Sequence, residues 1–511
     1  MITVNLLSKA FLHSRRLSMV KTGFKSCSLI LLILCFAFYG LFCLSDNDDD
    51  FEKMAGKIAG EVFIKNNAYE ILRVLSDEIG PRLAGSESAH RAENFSLDLF
   101  KQYGLLNAHS EQFEIVGWLP GEAHAEVLEP FAKQVVVDSM GLSSNTPIEG
   151  LTAEVVDVGH GSEEEFKKMG EAVKGKIALV GLMDPADRQK IVPEWDKIAN
   201  AARHGASACI IISRLKGKLT RTRTSAQGEY SAIPAAGITY EDGTWMRRLI
   251  NHGYTIKMKL VIQNKILDKL PSANVIADIK GTEKPEEMVI LCAHIDSWNL
   301  GPGAGDNGLG SSILLETARV FSSLNIKPKR TIRFILFTAE EQGLIGSMEY
   351  VKRHESELDN IILVTNLDMT GLSYPGRLNM MGCREFREEL GDLLKVLEGF
   401  GIDTISNDVP FDSDDFWFIG KGVPGLGLYG RGQRDWDWGH SYADTFEKIE
   451  VDKLNMTTAA VAIIIYYASI KEERFAQRLS QQEVMQLFKD NKLDASLKKT
   501  ERWQKLGFPL E

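Results

Sequence analysis

The chain has 511 residues, 44% hydrophobic and 25% charged, a composition ordinary for a folded soluble protein and long enough for two or more domains. Its formal net charge is −11 and its body carries no dense Lys/Arg block, which argues against nucleic acid, a partner that usually selects a basic face. The six cysteines include no Cys-x-x-Cys pair, which argues against a cysteine-built zinc site.

Residues 28–44, SLILLILCFAFYGLFCL, form an apolar run at the lower length limit of a membrane span. Lys9, Arg15, Arg16, Lys21 and Lys25 precede it, and Asp46 and Asp48 to Asp50 follow it. Basic flanks stay cytosolic, so the body of the chain is expected in the lumen, secreted or lysosomal. Segment 1–45 then reads as a signal peptide cleaved near Cys43 and Ser45, or as a retained type II anchor, the one arrangement that keeps the chain at a membrane. Residues 46–60 read as a pro-segment. The sequons Asn94-Phe-Ser96 and Asn455-Met-Thr457 offer glycosylation acceptors.

Ile64, Leu72 and Leu75 give residues 61–78 a helical spacing that ends at the turn Gly80-Pro81-Arg82. A second helix is expected over about 87–104, closed by Gly104. Residues 61–149 are taken as the first part of the main domain. Residues 150–265 look like a separate α/β unit, with short β-like runs LTAEVVDVG, KGKIALVGL, ASACIIIS and IPAAGITY and one amphipathic helix near 195–204. No His or Asp clusters there, so this unit is expected to shape access rather than perform chemistry. The apolar flanks of Cys209 and Cys292 predict buried small side chains rather than a disulfide.

From 273 onward the apolar runs NVIADIKG, MVILCAHIDS, TIRFILFTAEE, NIILVTNLDM and GVPGLGLYG alternate with helical segments. Continuous apolar strands separated by helices predict an α/β fold, with a mostly parallel-core sheet flanked by helices over 266–475. Residues 476–511, rich in Lys, Gln and Glu, read as a solvated helical tail that could serve a dimer contact.

Ligands of such sheets sit at the carboxyl ends of the strands. In His294-Ile-Asp296 the alternation of a strand lets both side chains share a face, with His294 suited to a metal and Asp296 to fixing its ring. The turn Gly301-Pro-Gly-Ala-Gly-Asp306 lacks the GxxxxGK[ST] pattern of a phosphate loop, and an anion site would not place Asp306 at its centre. Glu340 and Glu341 end a very apolar strand, where two buried carboxylates need partners. A dication supplies one partner, and proton shuttling accounts for the other carboxylate. Asp368 ends the next strand, and His440 follows a loop rich in Trp, Asp and Arg. Imidazole and carboxylate donors suit zinc, with manganese and cobalt as alternatives. Each motif alone has a bland reading as core or loop; their joint placement does not.

The motifs AHIDSW, GAGDNG, FTAEEQGLIGS, NLD and HSYADT together resemble the co-catalytic zinc aminopeptidase/carboxypeptidase family of metallopeptidases. The likeness runs from about 70 to 470 and includes GPRLAGS; the 150–265 unit is similar to a protease-associated domain. The resemblance implies the zinc exopeptidase fold and two Zn2+ per subunit, with Asp306 bridging. One ion would add His294 and Asp368, the other Glu341 and His440. It implies Glu340 as general base, with Asp296 beside it among the catalytic residues, a peptide substrate and a homodimer. Three departures stand out: Asn307 in place of an acidic residue, Tyr442 in place of a His, and Ser413-Asp414-Asp415 in place of Ser-Asp-His. They bear on substrate preference more than on the metal site.

The reaction expected is hydrolysis of dipeptides or short peptides with free termini, as a carboxypeptidase or dipeptidase, with an aminopeptidase as the alternative. Arg431 and Arg434 are candidates for clamping a carboxylate, against a reading as solvated loop charges, and Tyr442 is a further candidate substrate contact. Two rivals are a receptor-like ectodomain without catalysis, disfavoured by the complete ligand set, and a single-zinc aminoacyl cyclase, disfavoured by the inserted unit.

Overall fold

The computed structural model describes residues 50–181, 192–383, 390–431 and 438–509. The apolar run 28–44 and Arg434 lie outside them. Residues 1–54 and 55–511 form two compact units; of the first, the described residues 50–54 are helical.

In the second unit, helices Ala68–Arg73 and Glu87–Gln102 precede the strands, the latter capped by the Ser86 hydroxyl, which accepts from the Ala89 N–H. Among the described residues, eleven strands make one sheet. They are β1 (Leu106–Glu129), β2 (Lys133–Val135), β3 (Val137–Ser139), β4 (Leu151–Asp157), β5 (Ile177–Gly181), β6 (Ala208–Ile212), β7 (Ala235–Ile238), β8 (Ile256–Ile279), β9 (Lys284–His294), β10 (Arg330–Phe337) and β11 (Ile361–Asn366). The order is β11-β9-β10-β8-β4-β5-β6-β7-β3, with β1 on β8 and β2 on β1.

Two parallel cores, β11-β9-β10 and β4-β5-β6-β7, are therefore joined through the long antiparallel ladder of β1 and β8. The sheet is mixed where it passes from one core to the other. The first half of β8 pairs with β4 and the second half with β10, so one strand serves both units. The β1 ribbon escaped the sequence reading because its residues are largely polar or half-buried and Pro120-Gly121 interrupts them.

β9 is buried from Met288 through His294, β10 everywhere except Arg333, and β11 throughout. Strands so apolar need cover on both faces. Helices Leu309–Ser323 and Val451–Ile470 pack on β9 and β10. Helices Ile345–Arg353 and Asp415–Gly420 contribute to the core cluster around Ile290, Cys292 and Phe337. Val451–Ile470 is long and apolar enough to cross a membrane, but 72% of its apolar window is buried inside the protein, which makes it a core helix. Cys209, Cys292 and Cys383 are buried, and Cys209 and Cys292 form no disulfide, as expected.

The inserted unit carries helices Glu163–Met169 and Tyr240–Asn251 besides the expected Glu194–Arg203. Glu163–Met169 buries only Phe166, so no apolar period announced it; its capping box, Ser162 with Glu165, was the readable signal. The run GVPGLGLYG was read as a strand of the main sheet. It instead meets β11 through a single bridge at Gly425 and then forms β14 (Gly427–Gly430) of a small sheet with β12 (Pro375–Asn379) and β13 (Thr404–Ser406).

The C-terminal segment is helical but not a solvated tail. Helices Gln481–Asp490, Asp494–Leu497 and Glu501–Lys505 bury Val484, Phe488, Leu497, Trp503, Leu506 and Phe508 in the same cluster as Phe337 and Trp417. Its apolar anchors are few and separated by charges, so composition hides them. Trp503 is 1% exposed, and Trp503→Ala is expected to cost about 3–5 kcal/mol, the usual range for emptying a buried aromatic site. A denaturant midpoint unchanged from wild type would show that the segment only rests on the surface.

Candidate metal centre

β9, β10 and β11 are parallel neighbours, so their carboxyl ends meet at one edge. His294 is the last residue of β9 and pairs in register with Phe337 of β10. Glu340 and Glu341 follow β10 after Ala339, whose backbone is left-handed at φ 63°, so the chain turns sharply there. Asp368 follows β11, and Asp306 sits in the turn that opens helix Leu309–Ser323. His440 arrives from the loop beyond β14, also left-handed at φ 58°.

The glycines of the Asp306 turn permit close approach. Gly303 has φ 59°, and a Cβ there would stand 2.3 Å from that of Ser297. A Cβ on Gly305 would stand 2.6 Å from the Trp438 ring. Asp444 holds the turn from the other side: its carboxylate accepts from the Gly305 N–H at 2.7 Å and the Asp306 N–H at 3.1 Å.

The Asp306 carboxylate lies between the two imidazoles. Its Oδ1 is 3.2 Å from His294 Nε2, and its Oδ2 is 2.7 Å from His440 Nε2. Asp368 Oδ1 is 3.7 Å from His294 Nε2, and Glu341 Oε2 is 3.3 Å from His440 Nε2. Two ligand groups result, His294–Asp306–Asp368 and Asp306–Glu341–His440, each with donor atoms within 4.8 Å of one another. They share Asp306. Glu340 belongs to neither; its Oε2 is 4.0 Å from His294 Nε2.

His294 Nδ1 lies 3.1 Å from the backbone carbonyl of Asp296 and 3.5 Å from its carboxylate. Donation from Nδ1 leaves Nε2 facing Asp306. The Asp296 carboxylate also accepts the N–H groups of Glu340 and Glu341, each at 3.3 Å. Asp296 therefore orients the ring through its carbonyl more closely than through the expected carboxylate, and it fixes the β10 end as well.

The donor set fits a cation. His294 Nε2, Glu341 Oε1 and Asp368 Oδ1 are buried without a hydrogen-bond partner, a costly state for polar atoms out of water. Burial, then crowding by Asp306 and other carboxylates, pushes the Glu341 carboxyl well above its ordinary range. Burial and neighbouring carboxylates do the same to Glu340. Burial opposes charge on Asp306, but the two imidazoles hold its pKa low. Burial pushes His440 down to about 4, with Arg223 and Arg221 nearby adding to the effect. Nitrogen and carboxylate oxygen donors without sulfur are the chemistry zinc accepts.

Comparison with known proteins shows the family. Residues 274–465 match Peptidase family M28, and residues 151–246 match the PA domain. Carboxypeptidase Q of Bos taurus is 33% identical over 413 residues, which cover 80% of this chain and 86% of that protein. This chain belongs to peptidase family M28. The structure of an M28 peptidase precursor from Shewanella amazonensis superposes with a TM-score of 0.76 at 27% identity, covering 85% of this chain and all of that one. A zinc aminopeptidase from Bacillus subtilis superposes at 0.64 with 26% identity, covering 81% and 98%. The chain is thus a metallopeptidase with the M28 fold and an inserted protease-associated domain, and zinc is the metal its family implies.

Of the residues expected to contact substrate, Arg431 and Tyr442 are among the described ones. Arg431 donates to the Gly401 carbonyl and pairs with Asp403 at 2.6 Å on the surface, with none of these contacts at the metal groups. The Tyr442 hydroxyl donates to Asp138 of the inserted domain at 3.0 Å. Asn94 is exposed on its helix, whereas the Asn455 side chain accepts from Asn66 at 2.6 Å and is half-buried.

Several contributors had no signal in their own motif. Fully buried Arg82 donates to the carbonyls of Ile295, Pro302 and Gly303, tying the β9 end to the Asp306 turn. Asn307, the departure from an acidic residue, donates to the Leu367 carbonyl at 2.6 Å and accepts from the Gly310 and Met369 N–H groups. It joins the Asp306 turn to the Asp368 loop, a structural use that an amide serves with both of its ends.

Proposed function

We propose that the chain is a two-zinc exopeptidase acting on dipeptides or short peptides with free termini. The observation that carries this reading is Asp306, whose two oxygens face two imidazoles and so divide five donors into two overlapping groups. His294 and Asp368 would complete one zinc position, Glu341 and His440 the other. Bound zinc would supply an acidified water and polarise the scissile carbonyl. Glu340 stands beside these groups without belonging to either. It would accept the proton of the attacking water and return it to the leaving amine. Asp296, holding both the His294 ring and the Glu340 backbone, would keep base and ligand in register.

The likeness to carboxypeptidase Q favours action at a free carboxyl terminus; the likeness to the Bacillus subtilis zinc aminopeptidase supports the amino terminus as the second reading. The apolar segment 28–44 and its flanking charges support a luminal setting, with Asn94 the more accessible of the two sequons. The family resemblance supports a homodimer.

The test is product analysis on zinc-loaded protein with dipeptides that are free, amino-blocked or carboxyl-blocked. Cleavage of free and amino-blocked dipeptides, with loss on blocking the carboxylate, is the expected outcome. The opposite dependence would establish the aminopeptidase reading. No cleavage of any, or cleavage of internal bonds in doubly blocked peptides, would remove the exopeptidase reading.

A further inference from the structure

The inserted domain touches the loop that carries His440. The Arg221 Nε donates to the Gly439 carbonyl at 3.1 Å, and the Thr222 N–H donates to the His440 carbonyl at 3.1 Å. Arg223 Nε stands 3.3 Å from His440 Nδ1. The two carbonyls on either side of the His440 side chain are therefore both gripped by one segment of the inserted domain. A non-glycine residue at positive φ keeps that backbone only where its surroundings impose it.

That segment is itself anchored. Glu194, whose side chain is 7% exposed, lies 3.9 Å from Arg221 Nη1 and 3.6 Å from Arg223 Nη1. It is the first residue of helix Glu194–Arg203, which is fixed in the domain by buried Ile198 and Ala201. A second strap reaches the loop beyond His440. Asp138, on β3, accepts from both the Tyr442 and the Thr220 hydroxyls.

We propose that the inserted domain is a structural arm of the metal centre, with Glu194 a positioning residue for His440 acting through Arg221 and Thr222. The inference rests on the two-zinc reading above and deepens it. It makes the two zinc positions unequal in their dependence on the inserted domain. His294 and Asp368 come from β9 and β11, with no hydrogen bond to the inserted domain among the described residues. Only the position completed by His440 leans on Glu194.

The experiment is chelator competition on the zinc-loaded full chain, comparing wild type with Glu194→Gln, which keeps the shape and removes the charge. Partners that orient a metal ligand are typically worth about 10–100-fold in affinity. One zinc should therefore be lost about 10–100-fold more readily and the other should be unchanged. In a His440→Ala background Glu194→Gln should add nothing, because both act on one ligand. Glu163→Gln, which removes an ion pair to Arg203 and His204 in the same domain, should leave both zincs as in wild type. If Glu194→Gln does not fold, Tyr442→Phe, which cuts the Asp138 strap, carries the same test. Equal weakening of both zincs, no change in either, or full additivity with His440→Ala would overturn the proposal. Zinc binding left at the wild-type level by His440→Ala alone would instead overturn the metal reading beneath it.

Discussion

Asp306→Ala is expected to strip the chain of nearly all its zinc and of measurable peptide hydrolysis, while leaving it folded. The reason is geometric. Asp306 is the one residue common to both donor groups, with one oxygen toward His294 and the other toward His440. Without it each position keeps two protein donors, fewer than the three that catalytic zinc sites usually have. The turn itself should survive, because Asp444 holds it through the N–H groups of residues 305 and 306, which alanine retains. His440→Ala and Asp368→Ala should each cost chiefly one zinc. Elemental analysis of zinc per chain, with circular dichroism as the folding check, decides the matter. Zinc content at the wild-type level in Asp306→Ala would make Asp306 a loop residue and not a bridge.

Glu340→Gln is expected to reduce kcat by about 10²–10⁴-fold, the usual contribution of a general base, with zinc content and KM near wild type. Glutamine keeps the length and shape of the side chain but cannot accept the proton. Glu341→Gln should behave differently, since a neutral amide is a poorer donor to a dication than a carboxylate. The structure separates the neighbours: Glu341 is 3.3 Å from His440 Nε2 within a donor group, whereas Glu340 stands outside both. Burial and the surrounding carboxylates raise the Glu340 carboxyl well above its ordinary range. The check is steady-state kinetics beside zinc stoichiometry for both variants. Loss of zinc in Glu340→Gln with retention in Glu341→Gln would mean the two roles are exchanged.

The donor residues could be read from the sequence because the strands that carry them are unmistakable. Runs such as 288–293 and 361–364 are apolar throughout, and polar residues within a few positions after such a run stand at the sheet edge where ligands bind. The supports could not be read the same way. Arg82 bonds to carbonyls more than two hundred residues further along, and nothing local marks it as fully buried. Glu194, Arg221 and Thr222 carry no local signal in the sequence, because their meaning depends on where the His440 loop comes to rest. The C-terminal segment misled by average composition: Phe488, Trp503 and Phe508 sit among charged neighbours, yet they fill the core. For Arg431 the sequence shows the charge but not the Asp403 carboxylate that holds it on the surface, in keeping with its reading as a loop charge.

X-ray absorption at the zinc edge of the loaded wild-type chain tests the central claim most directly. Two zinc ions per chain, coordinated only by nitrogen and oxygen and showing a metal–metal contribution at about 3.5–4 Å, are the predicted result. A single zinc without a metal neighbour, or sulfur among its ligands, would contradict it.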